Sequence, residues 1–204
     1  MLTRGLQATV LVLTLAACSS DGPPGESHRD TAGAGETATG TTEFNQALHD
    51  ELLALLEADQ AERMGEGALD DTERTERLKE IVAEHGWPTI SLVGEDGEDA
   101  AWAIAQHSDQ DPEFQARALD LIRDAVAQGE ASPGNLAYLT DRVAVAAGEP
   151  QVYGTQVGCT EDGPAPAEPV NDVAAVEAAR AEVGLEPLAD YLAEMAEICA
   201  QDLP

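Results

Sequence analysis

Apolar residues recur every three or four positions through most of the chain after residue 43, with polar residues between them. This spacing places the apolar side chains on one face of a helix and is typical of amphipathic helices packed around a core. A first helix is predicted to end before Gly65, where the sequence Gly-Glu-Gly interrupts the pattern. Its apolar face consists of Phe44, Leu48, Leu52, Leu55 and Leu56.

Six further helices are predicted from their start and stop signals. Asp111-Pro112 and Ser132-Pro133 each combine a capping side chain with a proline in the first turn, which is a frequent start of a helix. The predicted helices run from residues 70–72 to 85, from about 96 to 106, from 111 to 126, from 132 to 148, from 171 or 172 to 184, and from 187 to at least 198.

Two segments depart from the helical pattern. In residues 86–94, Pro88 biases Trp87 toward an extended backbone, so we predict a non-helical connection that places Trp87 in the core. Residues 151–159 are β-branched and glycine-punctuated, which predicts a strand, and residues 168–170 are its expected partner in a hairpin. The predicted fold class is therefore mainly α, a compact multi-helix domain with one small β-hairpin.

The first 18 residues have the pattern of a bacterial export signal. A positive start containing Arg4 precedes an apolar run, residues 6–15, that is shorter than the roughly 20 residues a membrane-spanning helix needs. The run ends in Leu15-Ala16-Ala17-Cys18, which resembles a lipobox and implies a diacylglyceryl group on Cys18 and cleavage before it. The alternative is an ordinary secretory signal in which Cys18 is incidental.

Residues 18–42 carry Gly, Ser, Thr, Pro and acidic residues without apolar periodicity. This composition predicts a disordered tether between the lipidated Cys18 and a helical domain of residues 43–204, after a signal peptide of residues 1–17. The membrane is then the first expected partner, and the protein is expected on the extracytoplasmic side of the cell envelope. Ser19 after the cysteine resembles lipoproteins that are passed to the outer membrane where a cell has two membranes.

The chain is strongly acidic, with 40 acidic and 10 basic residues and a formal net charge of −30. Phosphate binding requires clustered Lys and Arg, and no such cluster occurs in the sequence, which excludes nucleic acid as a partner. We interpret the acidity as an adaptation to a salty medium or a composition shared across the host's proteins, because salt screens the repulsion between like charges. The alternative is a specific cationic partner.

With Cys18 lipidated, Cys159 and Cys199 remain as a pair in an oxidising compartment. We predict a disulfide that ties the loop around Cys159 to the last helix. The alternative is two free buried thiols. The sequence has no Cys-x-x-Cys spacing, which excludes a zinc ribbon.

The main candidate for chemistry is the turn between the third and fourth helices. His107, Asp109 and Asp111 stand at alternate positions, and Gln115 follows on the next helix. An imidazole and two carboxylates spaced in this way can converge on a divalent metal ion or form a general-base arrangement. An EF-hand is excluded because Pro112 stands where the turn glycine of that loop belongs.

A second polar motif, residues 153–156, contributes Tyr153, Thr155 and Gln156 as neutral hydrogen-bonding groups around Gly154. The alternative for both motifs is that their residues have only structural roles. Helix caps at Asp109 or Asp111, a helix-bridging His107 and a simple strand at 153–156 would explain these residues without a ligand.

The order Gly86-Trp87-Pro88, then residues 106–115, then residues 153–156 resembles the bacterial family called domain of unknown function 6624. The resemblance covers roughly residues 44–195. That family commonly has His-Ala-Asp where this chain has His107-Ser108-Asp109, which is a small change. The resemblance implies the domain boundary and the pairing of the motifs, and it implies no activity.

Three functions are hypotheses at this point. The first is binding of an envelope protein or a small ligand in a polar cleft between the two motifs. The second is a hydrolase that uses a metal or a general base at His107, Asp109 and Asp111, although familiar catalytic signatures such as Gly-x-Ser-x-Gly and His-Glu-x-x-His do not occur. The third is a purely structural envelope protein. The first two require the motifs to meet in space.

Overall fold

The computed structural model describes residues 43–65 and 70–202, so the predicted signal peptide, Cys18 and the tether lie outside the described residues. The fold class is mainly α with one small hairpin, as predicted. The helices are α1 (Gln46–Arg63), α2 (Asp71–His85), α3 (Ile90–Gln106), α4 (Pro112–Val126), α5 (Pro133–Ala147), α6 (Val173–Glu182) and α7 (Leu188–Asp202), and the strands are β1 (Val157–Thr160) and β2 (Gly163–Pro166).

The predicted helix starts are confirmed by their caps. The Asp111 carboxylate accepts a hydrogen bond from the Phe114 N–H at 3.0 Å, directly before Pro112. The Ser132 hydroxyl accepts one from the Asn135 N–H at 3.3 Å in the same way at α5. These contacts are local, since each satisfies a backbone donor of the first helical turn that has no partner within the helix.

The predicted start of α3 near residue 96 is wrong, because α3 begins at Ile90. One helical turn precedes Gly94, whose φ of 79° and ψ of 168° break the helix before it continues to Gln106. Such a positive φ favours glycine. The second expectation for this segment is confirmed, since Trp87 is buried in the core.

The larger core lies among α1 to α5. Small residues on α3 let α1 approach closely, and a Cβ built on Gly97 would lie 3.4 Å from Cδ2 of His49 on α1. Buried members of this core include Leu48, Leu52, Leu78, Ile81, Trp87, Val93, Ile104, Phe114, Ile122 and Leu139.

A smaller core joins the hairpin and the last two helices, with Val176, Leu188, Tyr191 and Met195 buried in it. The predicted disulfide is confirmed. It joins Cys159 of β1 to Cys199 of α7, whose Cα atoms are 5.6 Å apart.

The predicted partner strand of the hairpin is wrong. Strand β1 pairs antiparallel with β2, and Thr160 lies opposite Gly163 across a two-residue turn. Residues 168–170 contribute only an isolated parallel bridge between Val170 and Gln151. The short turn prevails because Gly163, with a φ of 110°, allows the chain to reverse directly after β1.

No helix among the described residues is both long enough and apolar enough to cross a membrane.

Candidate functional site

His107 lies at the end of α3 and faces α1. Its Nδ1 is 2.8 Å from Oδ1 of Asp59, a fully buried carboxylate that the sequence pattern did not single out. Arg63 donates to the same oxygen of Asp59 at 3.1 Å, and Gln60 donates to its Oδ2 at 2.9 Å. Arg74 is 3.5 Å away.

Burial by itself would raise the pKa of Asp59, but the hydrogen bond with His107 and the charges of His107, Arg63 and Arg74 outweigh burial and lower it. Asp59 is therefore ionised at neutral pH and can only accept, so the His107 Nδ1–H must donate to it. Within the described part of the chain, the other ring nitrogen, Nε2, has no hydrogen-bond partner.

Asp111 turns away from His107. In addition to capping α4, it pairs with Lys79 at 2.9 Å, and the hydrogen bond from Lys79 is the first cause of its lowered pKa. Asp109 turns in a third direction, toward Arg142 of α5. No group of three or more His, Cys, Asp or Glu side chains within residues 43–65 and 70–202 is placed to hold a metal ion. Metal ligation by His107, Asp109 and Asp111 thus stays a prediction that this geometry does not support.

Gln115 links α4 to the end of α3 by hydrogen bonds. Its buried amide Nε2 lies 3.2 Å from each of the Ala105 and Gln106 carbonyl oxygens and from Oδ1 of Asp109. Ser108 is also buried, where its hydroxyl donates to the Ile104 carbonyl and contacts Thr75 at 2.9 Å. These contacts fix the turn and leave Asp109 about half exposed.

The two predicted motifs do meet, through Arg142. Its Nε donates to Asp109 Oδ1 at 2.9 Å, and its Nη1 donates to Gln156 Oε1 at 3.1 Å. Gln106 approaches the same oxygen of Gln156 at 3.5 Å. We call Gln106, Asp109, Arg142 and Gln156 the Arg142 network.

Residues 151–156 wrap around the buried carboxylate of Asp141. It accepts from the Val152 N–H at 2.7 Å, from the Tyr153 N–H at 3.1 Å and from the Thr155 N–H at 2.9 Å. The Thr155 hydroxyl donates to it at 3.0 Å. The expectation that Tyr153 and Thr155 offer polar groups to a cleft therefore fails for Thr155, which points inward.

Tyr153 takes part through its backbone, whose carbonyl accepts from the Nη1 of Arg180 at 2.9 Å. Gly154 is needed here, because it has a φ of 66° and a Cβ at this position would lie 3.3 Å from Leu188 Cδ1. Of the second motif, only Gln156 faces the first motif.

The fold and this arrangement define a helical domain with a polar network at the junction of α3, α4, α5 and the segment before β1. The chain matches the model of a family of unknown function, DUF6624, over residues 36–200, and it belongs to that family. Comparison with curated proteins and with solved structures gave no match.

Proposed function

We propose that this protein is a lipid-anchored protein of the cell envelope whose helical domain binds a small polar ligand at the Arg142 network. The observation that supports the proposal is the contact of Arg142 with both Asp109 and Gln156, because it joins the two motifs through residues that are 47 positions apart in the chain (156 − 109). A cleft formed by the two motifs requires such a junction.

The chemistry of the network favours a ligand that both donates and accepts hydrogen bonds. Arg142 supplies donors, while Asp109 supplies an acceptor that is about half exposed to solvent. The Oε1 of Gln106 is buried and has no hydrogen-bond partner within the described residues. A buried acceptor without a partner costs free energy, and a ligand donor would remove that cost.

Thermal unfolding in the presence of a panel of sugars, amino acids and small organic acids tests this proposal. At least one compound is expected to raise the melting temperature of the native protein and of Arg117→Gln, which changes an exposed arginine of α4. The same compound should have no effect on Arg142→Gln. If every effective compound stabilises Arg142→Gln equally, the network is not the site.

The lipid anchor is tested separately by the mass of the N-terminal peptide of the mature protein. The proposal predicts that the peptide begins at Cys18 and carries the added mass of a diacylglyceryl group. An unmodified Cys18, or cleavage at another residue, would contradict it.

A second candidate function is acid–base hydrolysis at His107. The specific observation in its favour is the hydrogen bond from His107 Nδ1 to the buried Asp59. In the neutral imidazole this bond keeps the proton on Nδ1, so that Nε2 carries the lone pair that can take a proton. A carboxylate that fixes the tautomer of a histidine in this way is a recurrent feature of general bases. The catalytic partner differs from the predicted one, since it is Asp59 and neither Asp109 nor Asp111.

Hydrolysis of an activated ester, followed as a function of pH, separates this candidate from ligand binding. General-base catalysis predicts that His107→Gln lowers the rate by about a hundredfold or more, and that Asp59→Asn also lowers it. A rate that is equal in the native protein and in a folded His107→Gln variant would rule the candidate out.

A further inference from the structure

A cavity of about 240 Å³ lies between α3, α5 and the loop that follows α6. It is lined by Trp102 of α3, by Asn135 and Tyr138 of α5, by Arg180 of α6 and by Leu185 of the loop. None of the residues of the Arg142 network lines it. The cavity is therefore separate from the site of the proposed function, and neither depends on the other.

Arg180 is fully buried, yet it forms no ion pair with any acidic side chain that the structure describes. Its Nε donates to the Glu186 carbonyl at 2.6 Å and its Nη1 to the Tyr153 carbonyl at 2.9 Å. Its guanidinium carbon also lies 5.0 Å from the centre of the Tyr191 ring. These contacts hold the group in place but do not neutralise its charge.

The remaining nitrogen of Arg180, Nη2, is buried and has no hydrogen-bond partner among the described residues. A buried cation without a counter-ion is costly, because burial removes it from water. An anion in the cavity would supply both the missing charge and the missing acceptor.

Trp102 provides a second buried donor without a hydrogen-bond partner. Its indole Nε1 is buried and, within residues 43–65 and 70–202, it too lacks a partner. Most buried polar side-chain atoms in proteins have a partner. The cavity is therefore lined by two residues that each have an unpaired hydrogen-bond donor. This indicates that a ligand with an acceptor group enters the cavity.

The rest of the lining is aromatic and aliphatic. The rings of Trp102 and Tyr138 meet edge to face with their centres 6.0 Å apart, and Leu185 adds an apolar side chain. Glu186 also lines the cavity and its carboxylate interacts with the charge of Arg180, but it is exposed to solvent and forms no ion pair with Arg180. The volume is below the roughly 300–1,000 Å³ of cavities that bind drug-sized molecules.

We infer that this cavity binds a small organic carboxylate. The carboxylate accepts from Arg180 Nη2 and from the Trp102 indole N–H, and the apolar body of the ligand packs against Tyr138 and Leu185. A guanidinium with a second donor is a common arrangement for holding a carboxylate.

The test is an NMR titration of the full chain with benzoate at about 0.15 M salt, which screens the acidic surface. The chain has two tryptophans, so its spectrum contains two indole N–H signals, and Trp102→Phe identifies the signal of Trp102. Benzoate is expected to shift that signal and to saturate. Benzamide, which has the same shape without the charge, should bind at least tenfold more weakly.

Arg180→Met is expected to weaken benzoate binding at least tenfold, whereas Arg117→Met, the same change at an exposed arginine, leaves it unchanged. If Arg180→Met does not fold, benzoate binding to Trp102→Phe is measured by calorimetry instead. The loss of the indole donor must then weaken benzoate binding relative to the native protein. Equal binding of benzamide, an equal shift with inorganic phosphate, or no shift with benzoate would each overturn the inference.

Discussion

At the scale of single residues, buried charges organise this domain more than the motif residues do. Asp59 holds His107, Asp141 holds residues 151–156, and Arg180 holds the Tyr153 carbonyl. Each of these three charged residues lies on the buried face of its helix. Residues four positions apart lie on the same side of a helix. Asp59, Asp141 and Arg180 lie four residues after the buried residues Leu55, Ala137 and Val176.

The substitution Asp141→Asn tests the role of one such charge. An amide has one acceptor oxygen where the carboxylate accepts from three backbone N–H groups and one hydroxyl, so donors of residues 152–155 are left unpaired. We expect the free energy of unfolding in urea to fall by about 3 kcal/mol. Asp124→Asn, at an exposed residue of α4, is the matched control and should change it by less than about 0.5 kcal/mol.

Glu98 predicts a dependence of stability on pH. Burial raises the pKa of its carboxyl to about 7, against the hydrogen bonds from Trp87, the Ser132 N–H and Asn135, and the charge of Asp99 adds to the rise. The folded protein therefore holds this proton more tightly than the unfolded chain does. The resulting stabilisation is fully present below about pH 4.5 and is lost as the pH rises through 7, with a loss on the order of 3 kcal/mol.

Urea unfolding of the native protein and of Glu98→Gln between pH 4.5 and 8 measures this effect. The difference in unfolding free energy between the two should shift in favour of the variant as the pH rises, because glutamine does not titrate. Glu113→Gln, at an exposed residue of α4, should follow the native protein. A constant difference across the range would show that Glu98 does not titrate there.

The sequence contains a signal for these charged residues that is separate from the motifs. An acidic or basic residue in line with an apolar helix face indicates a buried charge, and Asp59 follows Leu48, Leu52 and Leu55 on such a face. Which charged residues contact each other was harder to predict. Arg142 contacts Asp109 across 33 positions of the chain, and nothing local in the sequence pairs them.

At the scale of elements, most helices were predictable because their starts depend on residues close by in the chain. The start of α3 was not, because the break at Gly94 hides the helical turn that begins at Ile90. A capping side chain and a proline act within four residues, as at Asp111 and Ser132. The hairpin was only partly predictable. Of the predicted first strand, residues 151–159, only the part from Val157 is a strand, because backbone N–H groups of residues 152–155 bond to Asp141. The choice of partner depended on the competition between residues 163–166 and residues 168–170, which local propensity does not decide.

The disulfide cross-links the C-terminal part of the chain, since it joins β1 to α7 across 40 positions. Closing a loop of that length restricts the unfolded chain and stabilises the fold by about 4 kcal/mol. Reduction should therefore lower the free energy of unfolding by about that amount. The measurement is urea unfolding with and without dithiothreitol.

The control for this measurement is Cys159→Ser with Cys199→Ser, in which dithiothreitol should have no effect. Its unfolding free energy should match that of the reduced native protein. If reduction leaves the native protein as stable as before, the smaller core around Tyr191 and Met195 holds this part of the fold without the bond.

At the scale of the whole molecule, charge is the dominant property. A net charge of −30 produces repulsion throughout the folded chain, and salt screens it. The urea midpoint should therefore rise as sodium chloride increases from about 0.01 M to about 0.5 M, over which the Debye length falls from about 30 Å to a few ångströms. A falling midpoint would mean that ion pairs such as Arg77–Glu51 outweigh the general repulsion.

The central claim is that the protein is a lipid-anchored domain that holds a ligand at the Arg142 network. Native mass spectrometry of the protein isolated from its host's envelope tests it most directly, because one spectrum reports the lipid on Cys18 and any bound molecule. We predict a lipidated chain carrying a non-covalent ligand that Arg117→Gln and Arg180→Met retain and Arg142→Gln loses. A spectrum without lipid and without ligand, or a ligand that Arg142→Gln retains in full, would contradict the claim.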